Sequence, residues 1–436
     1  MRAKEKKMRQ KTLMLFLILA LMVSGSTSLL AQDAASLPAD EAASQPIYLP
    51  LVRGSQAASP SSEAEPAEGP EMTEEDLTDG GDGVQTAGGG NRGLVFVSTN
   101  AMDEVRGNEV VMYRRGADGQ LILTGRFPTG GQGLGSSLSS QGAVVLSNNG
   151  RWLFVVNAGS NELSVFAVHA AGLVLTDKVA SGGQRPTSVT VRKNLVFVLN
   201  AGDPGNITGF KLNREGKLAP LPDGTRPLSN GGVGAAPAPA QVSFTPDGDA
   251  LVVTERATNL IDTYKVHKQG RITGPYVQNA AGVTPFGFAF AQKETLVVSE
   301  AFAGEANASA VSSYAVDDEE LHLVSASVPT GETAACWIAI AGDGRFAYST
   351  NAGSASISAY AVGEDGALTL LNGRAGLTGE GTGPTDVMVS RDGAWLYALS
   401  PRSHTIVGFA VQADGSLAPL GSFGGLTGTP VGLAAW

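Results

Sequence analysis

Four short stretches of this chain obey the same two spacings. Gly150, Gly248, Gly344 and Gly393 each follow an Asn or Asp, and seven residues further on stand Asn157, Glu255, Asn351 and Ser400. Fifteen residues beyond those landmarks lie Gly172, Gly270, Gly366 and Gly415. Between the first glycine and the landmark run RWLFVV, DALVVT, RFAYST and AWLYAL. An Asn-Gly or Asp-Gly turn leading into a short apolar and aromatic run is a hairpin signal, because the turn needs positive φ and the run fits a pleated, buried surface. Two spacings held in four copies restrict the chain to a β repeat.

Looser copies fill the gaps. LVFVSTN ends at Asn100, LVFVLN at Asn200 and LVVSE at Glu300, which makes seven landmarks separated by 43 to 57 residues. That period suits four short strands, such as PTSVTV, LVFVLN, ITGFKL and KLAPL, and this is the pattern of a propeller blade. The ends agree with the count. GLVFVSTN enters without an inner strand before it, and TPVGLAAW finishes as an inner strand without partners. Pairing the two completes the first blade and leaves no open edge. The expected fold is all-β: a seven-bladed propeller over residues 92–436, closed by its terminal strands.

The first 91 residues read differently. Six basic residues between Arg2 and Lys11 precede LMLFLILALMV, an apolar run too short for a confident membrane span and suited to export. Residues 1–31 are therefore expected to be a signal peptide, cut after Ala31 or earlier near Gly25 and Ser26. Residues 32–91 hold twelve acidic residues against Arg53 alone and no apolar periodicity, so a disordered acidic linker is expected. The chain as a whole carries a formal charge of −11, and this linker alone accounts for as much, so the acidity belongs to a tether. A nucleic-acid partner is disfavoured. The expected location is secreted, periplasmic or cell-surface, as a monomer, with membrane contact only if the export segment stays attached.

The stretches VVLSNNGRWLFVVNAGSNELSVFAV and MVSRDGAWLYALSPRSHTIVGFAV resemble blades of the lactonase family of seven-bladed propellers, which includes bacterial 6-phosphogluconolactonase and fungal carboxy-muconate lactonising enzymes. The resemblance covers roughly residues 93–436. It implies lactone opening by one His, two Arg and one Glu gathered at the channel mouth. The glutamate is matched by Glu255. Where an arginine and a histidine are implied, PAQVSF offers Ala240 and Gln241. The earlier histidine position reads Thr187 or Ser188, and the later arginine position falls on Ala334, Ala335 and Cys336.

Hydrolysis would need a proton acceptor and a positive group for the developing oxyanion. The candidates are Glu255 and Glu300 as carboxylates at equivalent landmarks, and Arg185 as oxyanion or carboxylate binder. Arg256, Gln241 and His404 are candidates for holding substrate. Each has a plainer reading: the glutamates accept turn hydrogen bonds as the landmark asparagines do, and Arg185 is a solvated loop arginine. Phe286, Phe288 and Phe290, at alternate positions of TPFGFAF, are read as packing between blades, and Cys336 as a buried free thiol. No cofactor is expected: His169, His267, His322 and His404 are scattered, and DPGN at 203–206 is ordinary turn chemistry. Two functions stand side by side. One is hydrolysis of a sugar or carboxylate lactone. The other is non-catalytic binding of a small ligand, surface polysaccharide or protein.

Export is checked by N-terminal sequencing of the protein recovered from periplasm or medium, which should begin after residue 26 or 31. An intact Met1 in the membrane fraction would overturn cleavage.

Overall fold

The computed structural model describes residues 93–317, 319–341 and 343–436. The expected export segment, 1–31, and acidic linker, 32–91, lie outside the described residues. The rest forms seven four-stranded antiparallel sheets, numbered here β1–β28 in chain order. Six sheets use four consecutive strands. The seventh joins the ends of the chain in the order β28 (Val431–Ala435), β1 (Leu94–Ser98), β2 (Glu109–Arg115), β3 (Leu121–Pro128), with Val95 opposite Ala435 and Val97 opposite Leu433.

The innermost strands are β4 (Val144–Leu146), β8 (Pro186–Arg192), β12 (Pro239–Phe244), β16 (Pro285–Phe290), β20 (Ala335–Ile340), β24 (Val387–Val389) and β28. Each touches the next, and β28 touches β4, so they form a closed ring around one axis. The second strand of a blade is covered on both faces by its neighbours. This is why β5 (Trp152–Asn157), β13 (Ala250–Glu255) and β17 (Thr295–Glu300), which carry the repeated apolar runs, are buried at every residue. The outermost strands alternate toward solvent.

Tyrosines on the third strands stitch blades together. The hydroxyls of Tyr113, Tyr264 and Tyr360 donate to the carbonyls of Gly424, Pro227 and Val328, each in the preceding blade. A buried phenol needs such a partner, so each ring fixes the angle between two blades as well as filling volume.

The landmarks occupy the ends of second strands and pair with the entrance of the inner strand: Asn200 with Pro186, Glu255 with Pro239, Glu300 with Pro285 and Asn351 with Ala335. Just past each pair the inner strand bulges, and the next residues in register are Ser188, Gln241, Phe288 and Trp337. A bulge re-aims side chains. In β16 it separates the phenylalanines: Phe286 packs with Trp337 (centroids 5.0 Å apart), whereas Phe288 meets Phe290 at 6.0 Å in a different cluster. They are interior packing, as expected, but on two sides of the strand.

Gly432 marks where ring closure is tightest. Its φ is +70°, and a Cβ there would lie 2.6 Å from the Val144 amide nitrogen. Gly432→Ala should destabilise the propeller by roughly 2–4 kcal/mol, from backbone strain plus overpacking, read as a lowered urea midpoint. A change below about 0.5 kcal/mol, the range of neutral surface substitutions, would show that the closing strand relaxes freely.

Candidate functional site

The two ends of the axis differ. At the end where inner strands begin (the entry side), the loop before β4 crosses the opening. Its Ser140 hydroxyl donates to the Thr187 carbonyl, and its Gln141 amide nitrogen to the Ala240 carbonyl. The Ser140 carbonyl accepts from the Trp337 indole at 2.8 Å. The Gln141 side chain then spans to β20, donating to the Ile338 carbonyl at 2.8 Å and accepting from the Ile338 amide at 3.1 Å. Gly287 makes room for it, since a Cβ there would fall 2.2 Å from Gln141 Oε1. Gln241 does the same to β16, through the Phe288 carbonyl and amide at 3.0 and 2.8 Å. Both glutamines imitate a missing strand edge.

The expected carboxylates lie inside their own blades. Glu255 is fully buried, and its oxygens accept from the Ser229 amide (3.0 Å), the Ser229 hydroxyl (2.5 Å) and the Thr258 hydroxyl (2.7 Å). Glu300, also fully buried, accepts from Ser312 at 2.5 Å and Ser327 at 2.6 Å. Burial pushes Glu300 above its usual value, against hydrogen bonds from Ser312, Ser327 and the Gly282 amide.

A carboxyl that the sequence reading passed over meets Glu255 instead. Asp262 is fully buried, and burial followed by the charge of Glu255 pushes it up to about 9. Its Oδ1 has no ordinary hydrogen-bond partner. A proton on Asp262 shared with Glu255 accounts for both facts, because two adjacent buried carboxylates cannot both ionise. The signal was available: seven residues beyond the landmark, other blades place Ser164 and Ser358, which accept from Asn157 and Asn351.

The arginines do reach the entry mouth. Arg256 follows Glu255 and lies over the Phe286 ring at 5.0 Å; its Nε is buried without a hydrogen-bond partner. Burial draws this guanidinium below its usual value, and the like charge of Arg185 adds to that. Cys336 would oppose the shift as a thiolate, but burial pushes that thiol up to about 12, so it is neutral. Arg185 is exposed, with one nitrogen donating to the Ala201 carbonyl at 2.7 Å. His404 sits in an exposed turn of a different blade with φ +54°. The structure therefore gathers Arg185, Arg256, Phe286, Cys336 and Trp337 in one arc, while Glu300 and His404 stand apart from it. Among the described residues no cluster of three or more His, Cys, Asp or Glu is arranged to hold a metal ion.

The other end of the axis is open. A blind well of about 480 Å³ runs inward from the side where inner strands end, closed below by Gln141, Gln241 and Asp386. Asp386 is 4% exposed. The sequence reading missed it too, although Pro384-Thr385-Asp386-Val387 aligns with Pro186-Thr187-Ser188-Val189 and sets an acid in an apolar strand entrance.

A family model described as a lactonase, 7-bladed beta-propeller, matches residues 71–227, 205–336 and 319–428. Among solved structures, a protein from Lactobacillus plantarum superposes with a TM-score of 0.63 at 19% identity, covering 78% of this chain and 98% of that one. The periplasmic gluconolactonase of Pseudomonas aeruginosa gives 0.61 at 19% identity over the same shares of the two chains. At such identities the likeness shows the fold alone. No curated protein matches significantly.

The carboxyl pair predicts a pH effect. Asp262 keeps a proton in the folded chain that an unfolded chain releases near pH 4, so this site's contribution to stability falls as pH rises from about 4 to about 9. Asp262→Ser, which restores the residue of Ser164 and Ser358, should stabilise the protein by about 1–3 kcal/mol at pH 8 and clearly less at pH 5. Equal changes at both pH values in urea titrations would rule out the shared proton.

Proposed function

Because the chain belongs to the lactonase family of seven-bladed propellers, we propose that it is an exported binding member of that family, holding a carboxylate-bearing sugar derivative at the entry mouth without hydrolysing it. One observation carries this reading. Glu255, the residue matching the family's carboxylate, is sealed in its blade with both oxygens occupied, while the neighbouring Arg256 guanidinium has no acceptor among the described residues. A base that cannot reach water leaves hydrolysis without its proton acceptor. A half-buried guanidinium without a counter-charge suits a carboxylate, which it can bind through two parallel hydrogen bonds. Arg185, exposed beside it, adds charge, and Phe286 with Trp337 offers an apolar wall. Export rests on the basic start and short apolar run, and a relative of the same fold is a periplasmic gluconolactonase.

Lactone hydrolysis is the second reading. It is favoured by that same guanidinium, which stands where a developing oxyanion needs a positive group.

The two separate in one set of assays. A panel of aldonolactones is followed by acid release with wild type, Glu255→Ala, Glu300→Ala and Arg256→Ala, and the matching aldonates are titrated calorimetrically. Background rates throughout are expected, with aldonate binding weakened about tenfold in Arg256→Ala, close to 1.4 kcal/mol. Turnover that collapses in Arg256→Ala would establish the hydrolase and discard the binding role.

A further inference from the structure

The blind well lies at the opposite end of the axis from Arg256, and what it binds does not depend on the entry mouth. Its walls are mixed: Val145, Leu146 and Met388 are partly exposed along it, beside Thr190 and Ser243. Of the side chains that line it, two carry charge: Asp386 at the closed end and Arg391 at the rim. They are five residues apart in sequence, so at most roughly 17 Å of chain separates them.

The partners of Asp386 are neutral. Its Oδ2 accepts from the Gly432 amide at 3.1 Å, and the Gly142 amide and its own amide also donate to the carboxyl. No ion pair among the described residues includes it. A buried carboxylate with only neutral partners keeps most of its desolvation cost, and a cation arriving through the well would relieve it. At the rim, Arg391 lies over Trp436 at 4.3 Å and donates to the Asn148 carbonyl at 2.8 Å. The neighbouring charges, Arg115 and Asp392, pair with each other at 2.8 Å. The well thus has a carboxyl at its closed end, a partly apolar wall and the Arg391 guanidinium at its rim.

We infer that this well binds a primary monoamine with an apolar stem, its ammonium group seated on Asp386 and its stem along Val145, Leu146 and Met388. Arg391 disfavours a second cation at the far end, so a diamine of equal length binds less well. Burial pushes Asp386 up to about 7 against its amide hydrogen bonds. An alkylammonium, protonated to about pH 10 like lysine, therefore displaces a proton from Asp386 when it binds near neutrality. Affinity rises between pH 6 and 8 by roughly tenfold, following the ionised fraction of Asp386.

The test is calorimetric titration of the full chain with n-hexylamine, 1,6-diaminohexane and hexanoate at pH 6, 7 and 8. Hexylamine should bind about tenfold more tightly at pH 8 than at pH 6, the diamine at least threefold more weakly than hexylamine, and hexanoate not at all. Asp386→Asn, shown folded by circular dichroism, should lose at least tenfold in affinity together with the pH slope. Val145→Trp, which fills the well from its partly exposed wall without touching the carboxyl, should also abolish binding. The inference is overturned if wild type fails to bind hexylamine at millimolar concentration, or if Asp386→Asn binds it as wild type does. Equal binding of the diamine would remove the role given to Arg391.

Discussion

Seven inner strands converge on one axis, and the backbone groups that face it have no eighth strand to pair with. A buried amide or carbonyl without a partner costs free energy comparable to a lost hydrogen bond, so the axis must be filled with polar groups or left open to water. This chain does one at each end. On the entry side Gln141 and Gln241 each satisfy an amide and a carbonyl of a facing strand, Ser188 accepts from the Val242 amide, and Asp386 accepts from Gly432. On the other side the well admits solvent. The plug, the well and the placement of Asp386 between them are three results of one geometric demand.

The same demand explains why a residue that looks catalytic need not be. Gln241 stands where the resemblance implied a histidine, yet both atoms of its amide are committed to Phe288. Glu255 stands where the family's glutamate is implied, yet it caps the end of its strand as Asn157 and Asn351 do elsewhere. Strand ends in a propeller need acceptors and donors whether or not a reaction occurs there. Arg256 is different because its guanidinium satisfies no such backbone demand.

The architecture was legible because its signals are local. The turn glycines at 150, 248, 344 and 393 all have φ between +68° and +86°, so few other residues fit there, and the second strands must be apolar because neighbours cover both faces. The entry plug was not legible. Gln141 lies in the plain stretch GLGSSLSSQ, and its role depends on Ile338, 197 residues away, and on space left by Gly287. The split of the phenylalanines depends on a bulge that alternation cannot reveal. The carboxyl pair was half visible: comparing blades would have shown Asp262 where serine recurs, but only burial turns that difference into a shared proton.

The pairing of β28 with β1 has a consequence for how the protein is made. The first blade has its second, third and fourth strands from residues 94–128, but its inner strand is Val431–Ala435, within the last six residues of the chain. The ring therefore cannot shut until residues 431–435 have been made, and until then the first blade lacks its inner strand. A chain whose first blade waits for its last strand gains its cooperative stability only when the ring closes.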